Sequence, residues 1–384
     1  MPRKICVVIT ARPSYSRVKS ALLAIVDHPD LELKLVVAGS ALLDRYGQAI
    51  RVIEEDGFDI AERVYMVLEG ENLVTSAKST GFGLSELATV FDNLRPDVVA
   101  TIADRFETIA TAIAAAYLNI PLAHIQGGEL SGSIDEKVRH AITKLADLHF
   151  VAYERAAQRL IRMGEDPQTV FVTGCPSIDL AAAILDNPGL DFDPFMKYGG
   201  VGAAVDISDG YLVVVQHPVA TEYEEARKQV TETLHGVSDL GLPSLWFWPN
   251  VDAGSDGTSK GIRAFRENEQ PANLHFFKNM EPEDFLRLIY NSRCVVGNSS
   301  VGIRESSFLG VPAVNIGSRQ DGRERGPNVI DVGHEREQIK SAIVRQLNNR
   351  RYSPTQLYGD GGAGQRIADL LAKVPLTTCK KLLY

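Results

Sequence analysis

Cysteine is scarce and scattered in this sequence. Cys6, Cys175, Cys294 and Cys379 are the only four and none forms a Cys-x-x-Cys pair, so neither a zinc motif nor a disulfide scaffold is indicated. A reducing cytoplasm fits that usage best. Excess positive charge is missing too: 40 lysines and arginines stand against 49 aspartates and glutamates, a net −9 at pH 7. That balance excludes a general attraction for nucleic acid or an anionic membrane, so any bound phosphate must meet a local basic site. No apolar stretch approaches the roughly 20 residues of a membrane-spanning helix. The run Ile5–Ile9 behind Arg3 and Lys4 is too short for a signal peptide, and Thr10, Arg12 and Pro13 after it suit a strand ending in a loop. The chain reads as neither secreted nor membrane-spanning.

Other absences narrow the chemistry. No Gly-x-Gly-x-x-Gly follows the first strand, and Gly199-Gly200-Val201-Gly202 lacks the third glycine and a βαβ context, so a bound nicotinamide is not expected. The eight histidines are scattered without His-x-x-x-His or paired carboxylates at ligand spacing, which argues against a metal. The Gly-x-Ser-x-Gly elbow of a serine hydrolase is missing as well. No short-period repeat or low-complexity tract is visible.

What is present is 384 residues, 45% hydrophobic and 23% charged, enough for two packed domains and possibly three. Apolar β-branched runs alternate with helical patterns, the signature of a parallel sheet covered by crossover helices. Strands are expected at Lys4–Thr10, Leu31–Ala38, Val98–Ile102, Pro121–Ile125, His149–Val151 and Val170–Val172. Helices are expected at Tyr15–Val26, Asn72–Asp92, Arg105–Leu118, Asp135–Ala146 and Glu154–Met163. The rhythm breaks near Gly174–Pro176, and residues 187–209 are rich in Gly, Pro and Asp. A second series follows, with strands at Tyr211–Gln216, Ser244–Trp248, Leu274–Phe276, Cys294–Val296 and Ala313–Ile316, and helices such as Glu222–His235, Pro282–Tyr290 and Val301–Leu309. The expectation is α/β: a Rossmann-like doubly wound domain over 1–174, a second over 175–363, and a terminal helix and tail over 364–384 whose packing the sequence leaves undecided.

Ligands of open parallel sheets bind beyond the carboxyl ends of the strands, so polar residues there are the candidates. Arg12 follows the first strand and could face an anion, or could equally be a solvated loop arginine. Asp104-Arg105-Phe106-Glu107 follows Val98–Ile102, where Asp104 could serve a reacting centre or merely cap a helix. Gln126-Gly127-Gly128-Glu129 leads to Ser133 and Glu136, a capping box that starts a helix on which Asp135 with Arg139, and Glu136 with His140, are i,i+4 neighbours. Such pairs are often surface salt bridges. Clustered behind a Gly-rich loop, they can also tune one another for acid–base work. In the second half, Gly297-Asn298-Ser299-Ser300-Val301-Gly302-Ile303-Arg304-Glu305 combines a strand, a small-residue turn and a helix start, which suits a diphosphate, although it also suits an ordinary αβ connection. Glu305 could accept from ribose hydroxyls. His217-Pro218, Asn250-Val251-Asp252-Ala253-Gly254 and Gly317-Ser318-Arg319-Gln320 end neighbouring strands.

Taken together, Arg12 with Ser16, Ala103–Glu107, His124–Glu129, Ser133–Glu136 with Arg139–Lys144, His217-Pro218, Asn250 with Asp252-Ala253-Gly254, Gly297–Glu305, and Gly317-Ser318-Arg319-Gln320 with Gly322-Arg323-Glu324 make the chain resemble the hydrolysing UDP-N-acetylglucosamine 2-epimerases of sialic acid-type biosynthesis. The resemblance runs over nearly the whole chain. It implies two Rossmann-like domains facing across a cleft in the glycosyltransferase-B arrangement, a homo-oligomer, and no metal or nicotinamide cofactor. It implies elimination of UDP to a 2-acetamidoglucal, then addition of water with inverted C2 to release N-acetylmannosamine. Under that resemblance Asp104, Glu129, Asp135, Arg139 and His217 are catalytic candidates. Arg12, Ser16, Arg105, Gln126, Asn250, Ser299, Ser300, Gly302, Glu305 and Arg319 are substrate-binding candidates, and the partners are a nucleotide-sugar substrate and UDP. Many relatives carry glutamate at the position of Gln126, and a glutamine cannot exchange a proton at neutral pH, so here it can only orient substrate or water. The same reaction on a UDP- or GDP-linked 2,4-diacetamido-2,4,6-trideoxyglucose for legionaminic acid, a non-hydrolysing epimerase, a glycosyltransferase, and a non-catalytic nucleotide-sugar sensor are the alternatives.

Overall fold

A computed structural model describes all residues except Glu71, Ala103, Asp104, Ser133, Asn250, Val251, Arg350, Leu382 and Tyr384, together with the side chain of Arg45. The chain divides into two units. The first holds Met1–Glu129, Ile134–Asp179 and Tyr358–Tyr384; the second holds Leu130–Ser133 and Leu180–Leu357. The sequence reading sets its boundaries at 174/175 and 363/364 and contains no sign of the Leu130–Ser133 excursion.

The sheet of the first unit contains β1 (Arg3–Ile9), β2 (Leu31–Ala38), β3 (Ile60–Val64), β4 (Val98–Ile102), β5 (Leu122–Ile125), β6 (Leu148–Val151) and β7 (Val170–Val172). They are parallel throughout, in the order β3-β2-β1-β4-β5-β6-β7. Helices cover both faces, so central strands such as Val98–Ile102 are buried along their whole length and read as continuous apolar runs. The period-two geometry splits them between two cores. Ile5, Val7 and Ile9 join one, Cys6 and Val8 the other.

The second unit contains β8 (Val201–Gly202), β9 (Leu212–Val215), β10 (Ser244–Phe247), β11 (Leu274–Phe277), β12 (Cys294–Gly297), β13 (Ala313–Ile316) and β14 (Val329–Val332), in the order β14-β13-β12-β9-β10-β11-β8. All pairings are parallel except β8 with β11. Its two cores again alternate, with Val213 and Val215 on one side and Leu212 and Val214 on the other. Each unit is thus a Rossmann-like doubly wound sheet.

Three strands escape the sequence reading, all at sheet edges. β3 carries exposed Glu62 and Arg63, β14 is only partly buried, and β8 is two residues long. An edge strand needs no apolar run, which is the physical reason. The helix expected over Tyr15–Val26 is two, Arg12–Ser16 and Lys19–Asp27. That expected from Arg105 begins at Thr108, and Val301–Leu309 resolves into a 3-10 turn, Ser300–Gly302, and a helix, Glu305–Leu309. The terminal helix, Ala363–Lys373, packs in the first unit, with Ile367, Ala368 and Leu371 in the core of Ile5 and Val7. Asp179 caps it by accepting from the Ala363 and Gly364 amides at 2.9 and 2.7 Å.

Candidate active site

In the first unit the chain leaves β1 for β2 and β3, then returns to β4 on the other side of β1. The β1/β4 boundary is therefore the topological switch point, where the strand ends splay and leave room for a ligand. Arg12 opens the short helix directly after β1, and Arg105 follows β4. Desolvation, aided by the Arg105 charge, pushes the Arg12 guanidinium down to about 10. Arg12 therefore stays cationic at neutral pH while the Arg105 charge repels it. Arg105 is 6% exposed and its Nε donates to Glu107 Oε1 at 2.7 Å; Oε2 of the buried Glu107 has no hydrogen-bond partner among the described residues. Two like charges at one switch point favour the binding of an anion between them. Ser16, on the same helix, donates its hydroxyl to the Pro13 carbonyl. Asp104, between β4 and Arg105, lies outside the described residues.

The loop after β5 is fixed by backbone geometry. Gln126 is buried with φ +67°, and Gly128 with φ +74° would place a Cβ 2.5 Å from the Ala156 carbonyl oxygen, which only glycine avoids. Gln126 donates Nε2–H to Cys175 Sγ at 2.8 Å. Glu129 is buried, and its carbonyl accepts from Arg139 Nη1 at 2.6 Å. Arg139, fully buried on the helix Ile134–Leu145, also donates to Glu136 Oε2 at 2.7 Å, while His140 meets Glu136 Oε1 at 2.8 Å. Glu136 thus binds both neighbours, one by the expected i,i+4 spacing and one by i,i+3. A guanidinium does not exchange protons near pH 7, so this geometry makes Arg139 the anchor of the Glu129 loop. Asp135 is half-buried in the first turn of that helix. Ser133, the expected cap, lies outside the described residues.

The second unit repeats the arrangement. Its chain runs from β9 to β10 and β11, then returns to β12 on the other side of β9, so β9/β12 is its switch point. Gly297, with φ +127°, ends β12 so close to β9 that a Cβ would lie 2.3 Å from the Val215 carbonyl oxygen. Asn298, fully buried, clamps the two strand ends. Its Oδ1 accepts from the His217 amide and its Nδ2 donates to the His217 carbonyl, both at 2.8 Å. The Asn298 carbonyl in turn accepts from Arg319 Nη1 at 3.2 Å and Gln320 Nε2 at 2.9 Å. His217 and Arg319 are therefore brought onto one residue.

Beyond it, Ser299 caps the Ser300–Gly302 turn, and the buried Arg304 donates to Ser300 Oγ at 2.8 Å. Gly302 is not required by packing, since a Cβ would meet only Val295 and Ala313 at 3.6 and 3.7 Å. Glu305 is buried in the next turn, and its Oε2 has no hydrogen-bond partner among the described residues. Asn250 lies outside the described residues. Asn298 and Arg304 are the residues that the sequence reading passed over as candidates. The signal for Asn298 was a polar side chain directly after an apolar strand, whereas Arg304 lies past the Ser300–Gly302 turn, just before the helix Glu305–Leu309. Leu130–Ser133 also belongs here, with the Gly132 amide donating to the Arg319 carbonyl at 3.1 Å.

Among the described residues no group of three His, Cys, Asp or Glu side chains could hold a metal ion, and no helix is long and apolar enough to cross a membrane.

The family model described as UDP-N-acetylglucosamine 2-epimerase matches residues 23–372 of the chain. A Legionella pneumophila protein named UDP-N,N'-diacetylbacillosamine 2-epimerase (hydrolyzing) is 34% identical over 98% of this chain and 97% of that one. The UDP-N-acetylglucosamine 2-epimerase of Neisseria meningitidis serogroup B is 29% identical over 94% of this chain and 92% of its own. Among solved structures, Methanocaldococcus jannaschii UDP-GlcNAc 2-epimerase in complex with UDP-GlcNAc and UDP superposes with a TM-score of 0.77 at 19% identity, covering 96% of this chain and 99% of that one. At that identity the likeness is one of fold.

Proposed function

We propose that this chain, which belongs to the UDP-N-acetylglucosamine 2-epimerase family, is a hydrolysing nucleotide-sugar 2-epimerase. The observation that carries the reading is the pair of mutually repelling guanidiniums, Arg12 and Arg105, at the first switch point. A diphosphate leaving group, whose negative charge grows as its bond to the sugar breaks, is the ligand that such a pair stabilises. The Ser300–Gly302 turn adds backbone donors, and the unsatisfied Glu305 Oε2 is an acceptor for ribose hydroxyls.

The reaction has two halves. A base removes the C2 proton while the bond from C1 to the diphosphate oxygen breaks, giving UDP and a C1=C2 glycal. Water then adds its hydroxyl to C1 and a proton reaches C2 from the opposite face, which releases the free sugar with C2 inverted. Asp104, Glu129, Asp135 and His217 are the groups for those transfers. Arg139 and Gln126 orient rather than exchange protons.

For the sugar, the Legionella relative, whose name includes hydrolysis, favours UDP-N,N'-diacetylbacillosamine, and the Neisseria relative keeps UDP-N-acetylglucosamine as the second reading. Homo-oligomerisation and a cytoplasmic location belong to the same proposal.

The test is to incubate the protein in D2O with each UDP sugar and with the GDP-linked diacetamido sugar, following products by NMR. The expected result is UDP plus free sugar bearing deuterium at C2. An epimeric UDP-sugar would instead mean the non-hydrolysing branch, and tight UDP binding without turnover would mean a sensor. Asp104→Asn should abolish turnover while UDP still binds; near-wild-type activity would remove Asp104 from the mechanism.

A further inference from the structure

Gln126 combines three unusual properties. It is 1% exposed, it holds a left-handed backbone conformation at φ +67° without being glycine, and its side-chain amide is committed to a sulfur atom, Cys175 Sγ, at 2.8 Å. Backbone strain of this kind persists only where the surroundings over-determine it, and it clusters at functional sites. Its backbone amide is also fixed, donating to the Phe150 carbonyl at 2.8 Å. The side chain is held in turn at Cys175.

Cys175 is itself held from several directions within the first unit. Its amide donates to the Tyr358 carbonyl at 2.8 Å, where the chain re-enters that unit. Tyr358 is buried and stacks edge-on against Tyr153, with centroids 5.2 Å apart. The thiol meets Ser177 Oγ at 3.0 Å, and either atom can donate there. A sulfur that accepts from the Gln126 amide keeps its own proton to donate to Ser177, so the row Gln126, Cys175, Ser177 is satisfied in one direction.

We infer that Cys175 is a positioning residue for Gln126, holding its carboxamide in place for the reacting sugar or water. The inference rests on the proposed function, in which Gln126 orients rather than exchanges a proton. Losing the thiol removes a hydrogen bond that limits how far the carboxamide can swing.

The experiment uses the full chain and the UDP sugar that it turns over. Cys175→Ala should lower kcat about fivefold to tenfold with KM within about twofold, the scale of one lost orienting hydrogen bond. Cys175→Ser, which can still accept and donate, should recover to within about threefold of wild type. In a Gln126→Ala background, already slow, Cys175→Ala should cost nothing further. Should Cys175→Ala fail to fold, judged by circular dichroism, Cys175→Val fills the volume without accepting and carries the same expectation. Independently of turnover, the Gln126 side-chain amide resonance, identified by its loss in Gln126→Ala, should shift in the Cys175 variant.

An unshifted resonance overturns the inference. So does a Cys175→Ala effect that is absent or multiplies with that of Gln126→Ala while Gln126→Ala alone is slow, and in that case the placement of Gln126 survives. Full kcat in Gln126→Ala removes Gln126 from the site, and the inference falls with it.

Discussion

Removing the Asn298 side chain should unlatch the second switch point, and the structure sets the size of the effect. Asn298→Ala takes away both partners of the His217 backbone, an acceptor and a donor each at 2.8 Å, in a place where Asn298 is fully buried and His217 is 4% exposed. Each stranded buried group costs about 1–3 kcal/mol, so the loss should be about 2–5 kcal/mol, with water entry limiting the upper end. The molecule contains its own reporter. Its only two tryptophans, Trp246 and Trp248, lie in the second unit, on β10 and just after it, and β10 pairs with β9. Urea denaturation followed by tryptophan fluorescence therefore reads that unit alone, and its midpoint should fall without a change in slope. Calorimetry should show UDP affinity reduced at least about tenfold, because the His217 backbone loses its latch beside the Asn298 carbonyl that Arg319 still holds. Asn298→Asp sharpens the test. It keeps the acceptor for the His217 amide but sets a carboxylate against the His217 carbonyl, so its deficit relative to wild type should shrink at pH 4, where a protonated carboxyl can donate. A stability loss below about 0.5 kcal/mol in Asn298→Ala, with unchanged UDP affinity, would refute the reasoning.

Three further outcomes are expected. Arg12→Gln relieves the repulsion with Arg105 and should raise thermal stability by a few tenths of a kcal/mol to about 1 kcal/mol, while weakening UDP binding about tenfold or more; lowered stability with intact binding would contradict the anion-site reading. Glu165 is driven down to about 2: burial alone would raise it, but hydrogen bonds from His149, Lys144 and Lys380 outweigh that. A depressed carboxylate contributes its stability above the unfolded value and loses it as pH falls through the folded one. Between pH 4.5 and about 2 roughly 3 kcal/mol should disappear, a loss that circular dichroism would follow and that Lys380→Met should blunt. Gly128→Ala meets both φ +74° and the Ala156 carbonyl at 2.5 Å, and should destabilise the first unit by about 2–4 kcal/mol, read as a lowered melting temperature; an unchanged melt would mean that the loop can relax.

The fold was legible wherever burial on both faces forces a continuous apolar run. β1, β2, β4 and the central strands of the second sheet are therefore visible in the sequence, whereas the edge strands β3, β8 and β14 carry no such requirement. The candidate site was legible for a related reason, since parallel sheets bind at carboxyl ends and the polar residues there stand out against the apolar strands before them. What failed to show was pairing at a distance. Nothing near Cys175 announces Gln126, 49 residues earlier, and nothing in Gly297-Asn298-Ser299 announces that Asn298 clamps His217, 81 residues before it.

By itself, then, the sequence determined two α/β units, the strand ends that carry the candidate site residues, and the family. It did so because hydrophobic periodicity and short motifs are local properties of the chain. The tertiary structure alone decided which strand ends adjoin. It placed β4 beside β1 and β12 beside β9, so that Arg12 repels Arg105 and His217 is latched to Asn298. It also decided where the terminal helix packs. Strand order and helix docking are long-range choices, settled by crossover handedness and by the fit of buried faces, and neither leaves a mark on neighbouring residues.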